Sequence, residues 1–248
     1  MITIKSEEEI KIMREGGKML AEIMEEVKKK VQPGITTKEL DKLAETLIFK
    51  SGAESAFKGY DNFPAAMCTS VNQVIVHGIP SDYELRDGDI ISLDLGLKHR
   101  GFFSDMAITV AVGRVEPEVS RLIEVTKKSL KLAIENIRPG CTFGDIGSII
   151  EEYVESQRFN VVRELCGHGI GKELHEDPQI LNYREEGPSP EIKPGMVFCF
   201  EPMVTMGDWR IKKSSDGFGW ETKDGSLSAH FEHMIAVTKT DCQVLTMK

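Results

Sequence analysis

Six side chains able to bind a metal or move a proton recur in this 248-residue chain as two matched sets. His77-Gly-Ile-Pro is echoed by His168-Gly-Ile-Gly, and Asp87-Gly-Asp-Ile-Ile-Ser-Leu-Asp94 by Pro194-Gly-Met-Val-Phe-Cys-Phe-Glu201. Ser104-Asp105-Met-Ala-Ile is echoed by Phe231-Glu232-His-Met-Ile, so each set has one histidine and two carboxylates. Two repeats packed about a pseudo-twofold axis would bring these groups together. Converging buried carboxylates repel one another and take up protons unless cations compensate them. Oxygen donors with one imidazole favour Mn, Fe or Co, with Zn also acceptable. Two such ions about 3.5–4 Å apart can share a water, lower its pKa towards neutrality and polarise a carbonyl, which is hydrolytic chemistry.

The elements that must position these groups are repeated as well. Val31-Gln-Pro-Gly-Ile-Thr36 and Ile137-Arg-Pro-Gly-Cys-Thr142 each lead into an apolar-periodic segment. Ser6-x-x-Glu9 and Thr36-x-x-Glu39 have the form of capping boxes, and Thr142-x-x-Asp145 has the same spacing. They open helices through Ile10, Met13, Leu20, Met24 and Val27, through Leu40, Leu43, Leu47 and Ile48, and through Ile146, Ile149, Ile150 and Tyr153. Pro117 opens a further helix through Leu122, Ile123, Leu130, Ile134 and Ile137, and Gly52 is placed to stop the second helix. Between them, Val71–Val76, Ile90–Leu97, Phe102–Val112, Val161–Cys166, Met196–Phe200 and Ala229–Thr238 read as strands. Alternation turns Asp94 away from Ile91, Leu93 and Leu95. Helices followed by strands, twice over, predict an α+β chain with a curved antiparallel sheet, helices outside it and the inner face free for a site. No spacer separates the halves near Gly113-Arg-Val-Glu-Pro117, so residues 1–248 read as a single catalytic domain with halves of roughly 1–113 and 114–248.

A net charge of −9 argues against a chain that wraps nucleic acid, and no DNA partner is expected. Arg210, Lys212, Lys213 and Lys223 form a local basic stretch that reads first as a solvated loop. Five cysteines, Cys68, Cys141, Cys166, Cys199 and Cys242, include no Cys-x-x-Cys pair. Their odd number fits a reducing cytoplasm better than a disulfide frame. The N-terminus lacks a basic and an apolar signal region, and no long apolar run suggests a membrane span. No Ser/His/Asp order suggests a triad. Gly167-x-Gly-x-Gly171 lacks the strand-turn-helix context and downstream acid of a dinucleotide loop.

Asn72-Gln-Val-Ile-Val-His-Gly-Ile-Pro80, Asp87-Gly-Asp-Ile90, Gly167-His-Gly-Ile-Gly171, Glu201-Pro-Met203 and Ser226-Leu-Ser-Ala-x-x-Glu232-His stand in an order and at separations that leave little room for coincidence. Across essentially its whole length the chain resembles the type I methionine aminopeptidases of the pita-bread fold. The resemblance implies that Asp94 holds one divalent ion, His168 and Glu201 the other, and Asp105 and Glu232 bridge both. Glu201 would also be the general base, His77 would steady the substrate backbone and tetrahedral intermediate, and His175 would hydrogen-bond the carbonyl oxygen. Tyr60, Phe63 and Cys68 would line the methionine pocket together with an aromatic near Phe218 or Trp220. Leu174 stands where the family commonly carries an aromatic. The interval from His175 to Glu201 has no room for the helical insertion of type II relatives, and no zinc-binding extension precedes Ser6.

The implied activity is removal of initiator methionine from nascent chains with a small second residue, by a cytoplasmic monomer. Local charge alone suggests ribosome contact through Arg210, Lys212 and Lys213. The competing readings are an X-Pro aminopeptidase or prolidase and a non-catalytic ribosome-associated module. Missing N-terminal domain and single-domain length weigh against the first, and a full ligand set against the second. His99, His230 and His233 read as a hairpin-tip residue and two strand positions flanking a ligand.

Overall fold

A computed structural model describes residues 1–184 and 186–247. In the first half, α1 (Glu7–Lys28) and α2 (Thr37–Lys50) precede β1 (Glu54–Ser55), β2 (Met67–Val71), β3 (Val74–Val76), β4 (Ile90–His99) and β5 (Phe102–Ala111). In the second, α3 (Pro117–Asn136) and α4 (Phe143–Ser156) precede β6 (Asn160–Val161), β7 (Gly167–Gly169), β8 (Glu176–Ile180), β9 (Val197–Phe200) and β10 (Met203–Thr205). The chain continues through β11 (Ile211–Lys213), β12 (Trp220–Thr222), β13 (Ser228–His230), β14 (Glu232–Val237) and β15 (Cys242–Val244).

Three of the helices start where a hydroxyl and an acid cap each other. Ser6 with Glu9, Thr36 with Glu39 and Thr142 with Asp145 all form complete capping boxes, satisfying amide groups that the first helical turn leaves unpaired. The repeat extends to backbone bonding. Gly34 and Leu85 are joined by N–H to carbonyl at 2.8 Å and Leu85 to Ile35 at 2.9 Å; Gly140 to Ile192 (3.1 Å) and Ile192 to Cys141 (2.7 Å) reproduce the pair.

The large sheet is antiparallel throughout, in the order β1-β4-β5-β14-β9-β7-β8, with β2 added to β4 and β15 to β14. Its mid-line is the contact of β5 with β14, where Ala107 faces Glu232 and Met106 faces His233. Each half has its own apolar core on the helical side. Leu20, Met24, Leu40 and Ile48 pack with Ile91, Leu93 and Leu95; Leu122, Leu130, Ile146 and Ile150 pack with Phe198 and Phe200. Burying such a side chain is worth about 1.5–3 kcal/mol as an upper figure. Helix α1 lies so close to the sheet that a Cβ on Gly17 would come within 2.4 Å of the Leu245 carbonyl oxygen. The α+β pita-bread architecture is therefore as expected.

Three of the six expected strands are broken or cut short, and the other three agree to within two residues at their ends. The run Val71–Val76 is broken at Asn72, whose φ of 56° turns the chain from β2 into β3. Of Val161–Cys166 only Val161 is in a strand, because Val162 bonds to Met203 and the chain then crosses to β7. Ala229–Thr238 divides at Phe231, since β13 leaves the large sheet to pair with β10 while β14 stays in it. The short strand β8, Glu-Asp-Pro-Gln-Ile, has too few apolar residues to signal itself. Among the described residues no helix is long and apolar enough to cross a membrane, and all five cysteines are free.

Candidate metal centre and substrate pocket

Asp94 lies mid-way along β4, opposite Cys68 on β2 and Ala107 on β5, while its neighbours Leu93 and Leu95 point into the helical core. Asp105 is on β5 and Glu232 opens β14 beside it across the mid-line, so one bridging candidate comes from each half. His168 pairs with Cys199 across β7 and β9, and Glu201 follows directly after β9. Glycine is required on both sides of His168: a Cβ on Gly167 would stand 2.3 Å from the Cys199 carbonyl oxygen and one on Gly169 2.1 Å from that of Asp177. The two glycines let a short strand press between its neighbours and aim the imidazole at the acids.

Three carboxylate oxygens here, Oδ1 of Asp94, Oδ1 of Asp105 and Oε1 of Glu232, are buried without a hydrogen-bond partner. Ligand atoms of Asp94, Asp105 and Glu232 lie within 4.8 Å of one another, as do those of His168, Cys199 and Glu232, so Glu232 belongs to both groups. The histidine tautomer points the same way. Nδ1 of His168 is 2.9 Å from the Gly169 carbonyl, which only accepts, so Nδ1 carries the hydrogen. Nε2 is then a bare lone pair, facing Glu201 Oε1 at 3.7 Å and Glu232 Oε1 at 3.9 Å. Acceptors facing acceptors in a buried space are repulsive unless a cation lies between them. The donor set fits divalent metal.

The electrostatics describe a cluster that cannot stay fully charged alone. Burial raises Asp94 to about 6. Burial, then the neighbouring carboxylates, push Asp105 and Glu232 well above the usual range, and burial, then Asp94, does so for Glu201. Burial lowers His168 to about 3, keeping it neutral.

All five ligand-type residues and all the expected substrate contacts line one cavity of about 740 Å³. His77, in the left-handed region at φ 58°, is held below the ordinary histidine range by the surrounding protein, then by His230 and His175. His175 meets His168 edge to face at 4.4 Å between ring centres, and its Nδ1 is 2.8 Å from the Tyr60 hydroxyl. Phe63 and Phe218 pack edge to face at 5.6 Å, so Phe218 continues the apolar wall, while Trp220 also lines the cavity with Lys213 over its ring at 4.3 Å. Leu174, 1 % exposed, fills that wall from below. Burial and then Asp94 drive the Cys68 thiol well up, which removes it as a nucleophile and leaves it a pocket-lining group.

One residue of the site was not anticipated. His230 is fully buried, with Nε2 3.5 Å from Glu201 Oε2 and neither ring nitrogen hydrogen-bonded. Its spacing of two from Glu232 carried no usable signal, because the run breaks at Phe231 and His230 ends β13 while Glu232 opens β14. His233 turns away to Thr246, and His99 sits 3.6 Å from Glu15 at the β4–β5 hairpin. In the basic stretch, Arg210 pairs with Asp208 and Lys212 with Glu221.

Residues 11–239 match the family model of metallopeptidase family M24. The chain belongs to that family. Within M24 it is 47 % identical over 246 residues to methionine aminopeptidase 1 of Bacillus subtilis, covering 99 % of both chains. The methionine aminopeptidase structure from Thermotoga maritima superposes with a TM-score of 0.98 at 42 % identity, with complete coverage of both chains. The prolidase structure from Pyrococcus horikoshii is similar more distantly, with a TM-score of 0.78, 25 % identity and only 63 % of its length covered. The resemblance to methionine aminopeptidases thus extends over the full length of the chain, and the acid cluster is a candidate site for divalent metal.

Proposed function

We propose that this chain is a metal-dependent aminopeptidase that removes the N-terminal methionine of newly made polypeptides when the second residue is small. The observation that carries the reading is the bare Nε2 of His168 facing Glu201 and Glu232, in a cluster whose buried, unpartnered carboxylate oxygens on Asp94, Asp105 and Glu232 come from both halves of the chain. In this reading Asp94 would hold one divalent ion and His168 and Glu201 the other, and Asp105 and Glu232 would serve both. Bound ions supply acidification of water and Lewis-acid polarisation of the scissile carbonyl.

The remaining chemistry belongs to side chains. Glu201, ionised once cations compensate the cluster, takes the proton of the attacking water and delivers it to the departing amine. His175 donates from Nε2 to the carbonyl oxygen as charge grows there, provided that Nδ1 accepts from Tyr60. His77 steadies the substrate backbone from the facing wall. Tyr60, Phe63, Cys68, Phe218 and Trp220 enclose the methionine side chain, a flexible apolar group that an adaptable pocket suits.

Residues 1–248 act as one catalytic unit, with halves near 1–113 and 114–248 that each complete the other's ligand set. The preferred ions are Fe, Mn or Co before Zn, by donor type. The enzyme works as a monomer in the cytoplasm, and Arg210, Lys212 and Lys213 offer a basic edge for the ribosome.

The test is turnover of Met-Ala-Ser and of an X-Pro dipeptide by protein stripped of metal and reloaded with each ion. Metal-dependent methionine release is expected. Rapid X-Pro cleavage without methionine release would assign the chain to the prolidase side of the family.

A further inference from the structure

The loop from Ile170 to His175 carries the proposed carbonyl-binding imidazole, and one half-buried carboxylate organises it. Glu176, the first residue of β8, accepts with Oε1 from the backbone N–H groups of Lys172 (2.9 Å) and Glu173 (3.3 Å). Its Oε2 accepts from Lys5 Nζ at 2.7 Å and from the Thr3 hydroxyl at 2.5 Å. The Lys5–Glu176 pair is almost shut off from solvent, with side-chain exposures of 6 % and 12 %. Lys5 is fixed in turn, because its backbone N–H donates to the Gly195 carbonyl at 2.7 Å and its Nζ also reaches Thr3.

The surroundings are shaped for this contact. A Cβ on Gly171 would stand 2.5 Å from Glu176 Oε1 and 2.7 Å from Lys5 Cε, so the loop lies directly against the ion pair. A Cβ on Gly195 would stand 2.7 Å from Ile4 Cγ2. The loop is also tied on its other side, by the Phe103 N–H to the Gly171 carbonyl at 2.8 Å. A desolvated lysine on an N-terminal segment is an expensive way to finish a surface strand, and its partner is the residue next to His175.

The geometry points to Lys5 and Glu176 as positioning residues for His175: the N-terminal segment reaches across the sheet and, through one buried ion pair, fixes the loop that aims this imidazole at the substrate carbonyl. The inference rests on the role proposed above for His175. Misplacement of a reacting group by about 1 Å can cost two orders of magnitude in rate, so a loosened loop should show in turnover before it shows in substrate affinity.

A double-mutant cycle tests it, using Mn-loaded enzyme and Met-Ala-Ser. The forms compared are the parent, Lys5→Met, His175→Ala and the double variant. Lys5→Met is expected to lower kcat about ten-fold with KM changed less than about three-fold, and to lower kcat less than about two-fold when His175 is already absent. An equal loss in both backgrounds, a change confined to KM, or no loss would overturn the inference. Glu176→Gln, which keeps the side-chain volume, is run through the same cycle and decides the matter if Lys5→Met does not fold. Should His175→Ala itself retain the parental kcat, the role of His175 fails instead, and the two outcomes are distinct.

Discussion

The Tyr60 hydroxyl stands 2.8 Å from Nδ1 of His175, on the opposite side of the imidazole from the nitrogen that the mechanism needs as a donor. A phenol ordinarily keeps its proton at neutral pH, and burial raises Tyr60 further. Burial likewise holds His175 below the usual histidine range, so the ring is neutral and accepts at Nδ1 while Nε2 keeps its hydrogen. Tyr60→Phe is expected to lower kcat about three- to ten-fold, the value of one hydrogen bond, and His175→Ala about 10²- to 10³-fold. Steady-state kinetics on Met-Ala-Ser measures both, and a Tyr60→Phe loss as large as that of His175→Ala would contradict a purely orienting phenol.

Metal binding should release protons. Carboxyl groups whose folded values are raised, Asp94 to about 6 and Asp105, Glu201 and Glu232 well upward, retain protons in the metal-free protein. Stability they contribute is present at acid pH and lost as pH rises through their folded values. A divalent ion must displace these protons, whereas His168, lowered to about 3, has none to give. Calorimetric titration with Mn at pH 6, in buffers of different ionisation heat, should show proton release that shrinks as pH rises while affinity increases. Heats independent of buffer would refute the account.

Asp105→Asn separates stability from function. Removing one acid from the cluster relieves repulsion, so the metal-free variant should melt higher than the metal-free parent by a few degrees, on the order of 1 kcal/mol. It should also lose the thermal shift that Mn gives the parent. A variant less stable than the parent without metal would show that repulsion is not the dominant strain.

The repeated capping boxes predict matched costs. Thr36→Ala and Thr142→Ala each remove a hydroxyl that accepts from the third helical N–H, at 3.2 and 3.1 Å. Each should cost about 1 kcal/mol in urea unfolding, and the pair should add, because the caps belong to different halves. A strongly unequal pair would mean that the two helices contribute differently despite their symmetric caps.

Much of this architecture could be read before any coordinates. The caps at Ser6, Thr36 and Thr142 are local chemistry, and the alternation around Asp94 fixes its side of β4, so both were legible in order and spacing. The division at Phe231 was not, because it depends on β13 finding Met203–Thr205 rather than on anything within Ala229–Thr238. His230 went unrecognised for a related reason: its place beside Glu201 exists only once β13 has left the main sheet. Lys5 read as one more charged residue in a polar N-terminus, since its partner Glu176 lies far along the chain in a strand with almost no apolar signature.

In the large sheet the two halves meet at the junction of β5 with β14 through only two facing residue pairs, Glu232 with Ala107 and His233 with Met106. Ions shared by Asp105 and Glu232 would fasten the molecule at that waist, adding a crosslink where a short backbone ladder joins the halves. Chelation should therefore loosen the two halves from each other before it loosens either one, and amide exchange along β5 and β14 would register the parting first.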